Sequence, residues 1–170
     1  ILKQISKKQI KEDTFFSKTS IENLLNEIID NFKETSSKKI VLNLDKDKNK
    51  FGIQRSPELI YGLRNFIGNA IKFSKSTVEI RVKSDPKNLE VLINDDGPGF
   101  PKDIKEIIGE PYIKSKSDEV SSNSGTGLGT FLGKTFLERK SANLFFFKDA
   151  KLGGACVQII WDVQNLKLNV

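Results

Sequence analysis

Apolar positions recur along the chain with two different periods. Leu24, Leu25, Ile28, Ile29 and Phe32 follow one another at helical spacing. Thr19 or Ser20 stands before them as a capping residue, with Glu22 and Asn23 in the first turn. A second helical stripe, Leu59, Ile60, Leu63, Phe66, Ile67, Ala70 and Ile71, begins behind Ser56-Pro57, a cap with proline at the first helical position, and is read as ending at Ser76. Lys39–Leu44 alternates as a strand and Asp45–Lys50 is a charged turn. Thr77–Val82 and Leu89–Ile93 alternate with period two around Asp85-Pro86-Lys87-Asn88, which predicts a hairpin. A Gly/Pro turn (Asp95–Pro101), a short helix near Lys102–Ile108 and a polar stretch (Lys114–Ser124) follow. A helix from about Gly127 to Ser141 and strands at Leu144–Phe147 and Ala155–Trp161 complete the pattern. Ile1–Lys11 reads as the end of a polar helix, Glu12–Lys18 as a connector, and Leu166–Val170 as a last short strand or a tail. Helices and strands are grouped rather than strictly alternating, and several neighbouring strands read as antiparallel. This predicts an α+β fold, a two-layer α/β sandwich whose mixed, mostly antiparallel sheet is covered on one face by about three helices.

Composition narrows the chemistry more than the fold. At 170 residues the chain fits one domain, and 37% apolar with 29% charged residues is a globular balance. No apolar run approaches the roughly 18 residues a membrane helix needs, and the Lys-rich Ile1–Lys11 is not a signal peptide. The sequence begins with Ile and contains no Met, so it is expected to be a piece of a longer protein. The net charge is +6, but Lys is scattered from Lys3 to Lys167, often beside Asp or Glu as in Asp45-Lys46-Asp47-Lys48. That is a solvated surface able to steer an anionic ligand, not a nucleic-acid face. The single Cys156 lies in an apolar run and is expected to pack as a small hydrophobe. There is no His at all. Ser-His and Cys-His pairs are therefore excluded, as are the usual transition-metal sites, leaving carboxylates, amides, Lys, backbone and a hard cation.

Four segments could carry such chemistry. Asn65, Asn69 and Lys72 are spaced by four and three, and so share a helix side distinct from the apolar stripe. Asn offers a neutral oxygen suited to Mg²⁺ and Lys a charge suited to phosphate, although an ordinary solvated helix face has the same pattern. Asp95-Asp96-Gly97-Pro98-Gly99-Phe100 follows closely on a strand. Its glycines let backbone approach a ligand, and its carboxylate can accept from a donor such as an adenine amino group, although a plain turn reads the same way. Ser124-Gly125-Thr126-Gly127-Leu128-Gly129 opens a helix whose N-terminus favours phosphate. It lacks the preceding strand of a Rossmann loop and the Gly-Lys-Ser/Thr of a Walker loop. Gly153-Gly154 is explained by a hairpin turn alone.

The order and spacing of these segments resemble the catalytic domain of sensor histidine kinases. Asn65-Phe66-Ile67-Gly68-Asn69-Ala70-Ile71-Lys72-Phe73-Ser74 resembles the N box, Asp95–Phe100 the G1 box, Ser124–Gly129 the G2 box, and Gly153-Gly154 a weak third glycine site. Glu110-Pro111-Tyr112 resembles the F box, with Tyr where Phe is usual. Gly109–Tyr112 and Phe131–Arg139 are further similar to the RegB/PrrB group of redox-responsive sensor kinases. The resemblance spans about Thr19 to Trp161 and implies the Bergerat ATP-binding fold, with residues 19–170 as the catalytic domain and 1–18 as the end of a dimerisation helix and linker.

What the resemblance implies for the site is specific. Asp95 would accept from adenine, Asn69 with Asn65 would hold Mg²⁺, and Lys72 would contact phosphate. Phe73, Phe100, Tyr112, Thr126 and Leu128 would line the nucleotide site. Gly97 and Gly99 would face the base, Gly125, Gly127 and Gly129 the phosphates, and Lys114–Ser124 would form an ATP lid. The implied partners are ATP, the histidine-bearing dimerisation domain of the same protein and a response regulator, with a homodimeric full-length protein, a cytoplasmic catalytic domain and an inner-membrane sensor. An ATPase of the gyrase or MutL kind would carry Glu at the first N-box position to activate water; Asn65 is no base. A Ser-directed kinase of the same fold, or a degenerate nucleotide-binding regulator, would also keep these boxes.

Overall fold

The structure, a computed structural model, describes residues 18–45, 52–101 and 128–166. Strand β1 (Lys18–Ser20) leads into helix α1 (Ile21–Lys33), where the Ser20 hydroxyl accepts from the Asn23 N–H at 3.1 Å. Helix α2 (Pro57–Phe73) begins in the same way: Ser56 is buried and accepts from the Leu59 N–H at 3.2 Å. Satisfying an otherwise orphaned N–H this way stabilises a helix start by about 1 kcal/mol. Helix α3 (Leu128–Arg139) and a short α4 (Val163–Leu166) complete the helices among the described residues. No described helix is long and apolar enough to cross a membrane.

Five strands form the main sheet: β2 (Lys39–Leu44), β4 (Thr77–Ser84), β5 (Asn88–Asp95), β7 (Ala155–Asp162) and β6 (Ala142–Lys148), in that spatial order. β2 runs parallel to β4 and every other pair is antiparallel. The expected mixed, mostly antiparallel sheet with one layer of helices is what the chain forms. Alternation along β4 and β5 sends Val78, Ile80, Val82, Leu89, Val91 and Ile93 into the helix layer, where they are at most 6% exposed. They meet the stripe Leu59, Leu63, Phe66, Ile67 and Ile71 of α2 and Leu24, Leu25, Ile28 and Ile29 of α1.

Three details depart from the sequence reading. A second sheet, β1 with β3 (Gly52–Gln54), was not foreseen, because strands of three residues are too short to show a period; Ile53 anchors it at 1% exposure. α2 stops at Phe73 rather than Ser76, since Ser74 turns extended and side chains described below take up the free backbone groups. Leu166, read as the start of a strand or tail, closes α4 instead with its side chain buried. Residues 167–170, the expected connector and polar helix over residues 1–17, and most of the charged turn after Asp45 lie outside the described residues, and Lys18 opens β1.

α2 and α3 pack closely. A Cβ on Gly62 would fall 2.5 Å from Leu137 Cγ and 3.2 Å from the Gly133 carbonyl oxygen. Gly62→Val is therefore expected to lower the unfolding free energy by about 1–3 kcal/mol through overpacking, readable as a shifted urea midpoint at unchanged slope.

Candidate functional site

One end of the site is built on the last residues of β5. Asp95 continues the row Leu89, Val91, Ile93, so strand alternation alone turns its carboxylate into the helix-facing layer, where it is 4% exposed. Its Oδ1 accepts from the Gly97 N–H at 2.8 Å and the Ala155 N–H at 3.2 Å, and its carbonyl accepts from the Gly154 N–H at 3.1 Å. Oδ2 takes no hydrogen bond from any described residue. Burial pushes the Asp95 carboxyl up, aided by the charges of Asp96 and Asp149 and opposed by those two N–H donors.

Glycine is required around this carboxylate by close approach. A Cβ on Gly97 would lie 2.3 Å from the Phe73 carbonyl oxygen, and one on Gly154 would lie 2.3 Å from both Asp95 O and Oδ1. Gly99, at φ +81°, turns the chain back beside Gly154. Phe100 is half-buried and meets Phe146 edge-on, ring centroids 5.8 Å apart.

The other end lies on α2 where it faces α3. Asn69 Nδ2 donates to Thr130 Oγ1 at 2.9 Å, and Asn65 Nδ2 donates back to the Tyr61 carbonyl at 2.8 Å, leaving each amide oxygen free of a described donor. A Cβ on Gly129 would come 3.2 Å from Asn65 Oδ1, so the start of α3 runs directly over that oxygen. Lys72 is exposed, with its ammonium 5.2 Å from the ring centre of Phe73, itself half exposed. Two neutral amide oxygens beside a glycine-bearing helix start suit a hard cation shared with phosphate oxygens. Among the described residues no group of three His, Cys, Asp or Glu gathers as a metal site.

The junction between the two ends is locked from both sides. Lys38 Nζ donates to the carbonyls of Ile71 (2.5 Å), Ser74 (2.7 Å) and Lys72 (3.3 Å), capping the C-terminus of α2 with a positive charge. Asp96 Oδ1 accepts from the N–H groups of Lys75 (2.8 Å), Ser76 (3.0 Å) and Thr77 (3.2 Å), and Oδ2 from the Ser76 hydroxyl (2.7 Å). Burial acts to raise the Asp96 carboxyl, but these donors, the Ser76 hydroxyl foremost, outweigh it and hold the group well below the usual carboxylate range.

Of the sequence candidates, Asn65, Asn69 and Gly129 come together, and Phe73, Asp95, Gly97 and Gly99 come together with Phe100 close by. Lys72 lies on the α2 turn between the two groups. Leu128 opens α3. Tyr112, Gly125, Thr126, Gly127, the F box, the expected helix near Lys102–Ile108 and the expected lid lie outside the described residues. Gly154, read first as a hairpin residue, also packs directly against Asp95. Thr130, Asp96 and Lys38 were missed. The acidic pair Asp95-Asp96 and the Thr in the first turn of α3 were visible signals for two of them; an isolated Lys gives none. Cys156 is fully buried, and burial with the Asp149 charge pushes its thiol up to about 12, so it stays protonated and packs as an apolar side chain.

A buried acceptor at a strand end and, on α2, a pair of amides facing a glycine-bearing helix start are held together in one α/β sandwich. The family described as histidine kinase-, DNA gyrase B- and HSP90-like ATPases matches residues 54–165, and the chain belongs to it. Within that family it is a catalytic domain of the sensor histidine kinase type. It is 39% identical over 129 residues to the sensor histidine kinase RegB of Cereibacter sphaeroides, covering 67% of this chain and 28% of that protein. It is 27% identical over 99 residues to the sensor histidine kinase CpxA of Escherichia coli, covering 58% of this chain and 21% of that protein. The chain thus spans about a quarter of the relatives it matches. A mycobacterial sensor histidine kinase, MprB, shares the fold at a TM-score of 0.71 and 19% identity, over 86% of this chain and 97% of that one. Full-length ShkA, solved with AMPPNP, does so at 0.69 and 20%, over 85% of this chain and 30% of that one.

Asp96 supplies a check on the junction. A carboxylate held low contributes its stability in full above the ordinary value of about 3.9 and loses it as pH falls through the lower folded-state value. Asp96→Ala is expected to cost about 2 kcal/mol at neutral pH. Urea unfolding of both forms down the acid range should show that gap narrowing below about pH 4.

Proposed function

We propose that the chain binds Mg-ATP and positions its γ-phosphoryl group for transfer to a histidine on a separate dimerisation segment of the same protein, from which it passes to an aspartate of a response regulator. The observation that carries this is the buried Asp95 carboxylate, with one oxygen fixed by two backbone N–H donors and the other free of any donor among the described residues. Asp95 accepts from the adenine amino group, with Gly97, Gly99 and Gly154 leaving room for the base and Phe73 and Phe100 beside it. Asn69 and Asn65 are the residues that would hold Mg²⁺, which would supply neutralisation of phosphate charge. Lys72 contacts phosphate, and Gly129 at the start of α3 faces the phosphates. Catalysis of this kind is positioning and charge neutralisation, and no residue of the site needs to act as a covalent nucleophile.

Hydrolysis is the less favoured reading because Asn65 is an amide whose N–H is already committed to the Tyr61 carbonyl, with no proton-accepting nitrogen or carboxylate to activate water. The full-length protein is read as a homodimer with its catalytic domains in the cytoplasm beneath an inner-membrane sensor.

Asp95→Asn, which keeps the shape and removes the charge, is expected to weaken ADP binding roughly 10- to 100-fold, the worth of a charge-assisted hydrogen bond, with an unchanged circular dichroism spectrum. Unaltered affinity by calorimetry would remove Asp95 from the base-reading role. Incubated alone with labelled ATP, the chain should acquire no acid-labile, nitrogen-linked phosphate, since it contains no His. Supplied with the histidine-bearing segment of its own protein, it should place the label there; label on the chain itself would sink the proposal.

A further inference from the structure

The face of the sheet turned away from the helices carries a charge network that the apolar core does not need. On β4, Glu79 and Arg81 alternate with the core residues Val78, Ile80 and Val82 and so point outward, yet Glu79 is only 5% exposed. Arg81 Nη2 lies 3.2 Å from Asp149 Oδ1, and Arg81 Nε lies 3.6 Å from Glu79 Oε2. Glu79 Oε1 also accepts from Lys151 Nζ at 3.0 Å and from Asn43 Nδ2 at 2.6 Å. Asp149 is likewise 5% exposed. Burying two carboxylates costs several kcal/mol each unless they are paired, and replacing such a network by apolar residues is often neutral or stabilising. Two of its atoms, Glu79 Oε2 and Arg81 Nε, are buried without a hydrogen bond, so the arrangement is not one optimised for stability.

Asp149 and Lys151 both belong to the turn between β6 and β7, and that turn ends at Asp95. Asp149 Oδ2 accepts from the Leu152 N–H at 2.7 Å, its N–H donates to the Gly154 carbonyl at 2.8 Å, and its carbonyl accepts from the Gly153 N–H at 3.0 Å. The next two N–H groups, of Gly154 and Ala155, are the ones that reach Asp95 O and Oδ1. A continuous chain of polar contacts therefore runs from Arg81 through Asp149 and the turn to the carboxylate. We propose that Arg81, Glu79, Asp149 and Lys151 form a positioning brace that holds the turn against Asp95 and fixes which way its Oδ2 faces, setting affinity and base selectivity without touching the nucleotide. The proposal rests on the reading of Asp95 as the acceptor for the base amino group.

The test compares ADP with IDP, which carries a carbonyl oxygen where ADP has the amino donor, by calorimetry on the whole chain at a temperature where circular dichroism shows every variant folded. The unsubstituted chain should prefer ADP. Arg81→Gln should weaken ADP binding about five- to tenfold, in the range of couplings between residues joined by one hydrogen-bonded network. IDP binding should change less, so that the ADP-to-IDP ratio falls. Arg81→Lys, which keeps the charge, should regain part of the ratio, and Arg81→Gln added to Asp95→Asn should change it no further. Asp149→Asn gives the same readout should Arg81→Gln fail to fold. A ratio unchanged in the variants, or equal losses for both nucleotides, overturns the brace while leaving Asp95 in place. Equal affinity of the unsubstituted chain for ADP and IDP overturns the reading of Asp95 and the brace with it.

Discussion

Asp95 stands at the end of the row Leu89, Val91 and Ile93, inside the layer between sheet and helices. An isolated carboxylate in such a place would cost several kcal/mol or give up its charge. Three backbone N–H groups converge on this residue, from Gly97, Gly154 and Ala155, and they can do so because two of the three carry no Cβ. The cost is only part offset, since the group is still shifted toward its protonated form. Among the described residues no donor reaches the second oxygen, so the carboxylate keeps acceptor capacity to spare.

α2 connects this carboxylate to the amide pair. Its apolar stripe fixes it on the sheet, its Asn65–Asn69 side faces the start of α3, and its last carbonyls meet Gly97 and the ammonium of Lys38. Asp96 takes the N–H groups that follow the helix. The adjacent acids thus divide two tasks by geometry: strand alternation turns Asp95 inward to the helix-facing layer, while Asp96 binds the backbone of the neighbouring connection and ties the helix end to the strand end. A shift of either would change the distance between Asp95 and the Asn65–Asn69 pair.

Family membership fixes the architecture more firmly than the reaction, because the same fold in gyrase-like and HSP90-like proteins hydrolyses ATP. This chain spans 28% of RegB and 21% of CpxA, so the likeness speaks for the nucleotide-binding fold and not for the whole of either protein.

The main helices and strands and the layer order were legible, and the Asn, Asp and Gly positions of the candidate site stood out, because each leaves a local mark: a 3.6- or 2-residue period, a cap, or a glycine beside a polar ligand type. β1 and β3 left no mark because three residues cannot display a period. α2 was read too long because its end is set by Lys38, far away in sequence, and by Asp96, across the sheet. Gly154 read as an ordinary turn glycine, since only the pairing of β5 with β7 brings it against Asp95. The brace of Glu79, Arg81, Asp149 and Lys151 was invisible for the same reason: its members lie on two segments about 70 positions apart that only sheet closure joins. The sequence by itself determined which residues could bind a nucleotide, because chemistry is local to a side chain. Only the tertiary structure decided which of them share one pocket and what holds them there, because distance across a sheet is set by strand order and register, which no local pattern encodes.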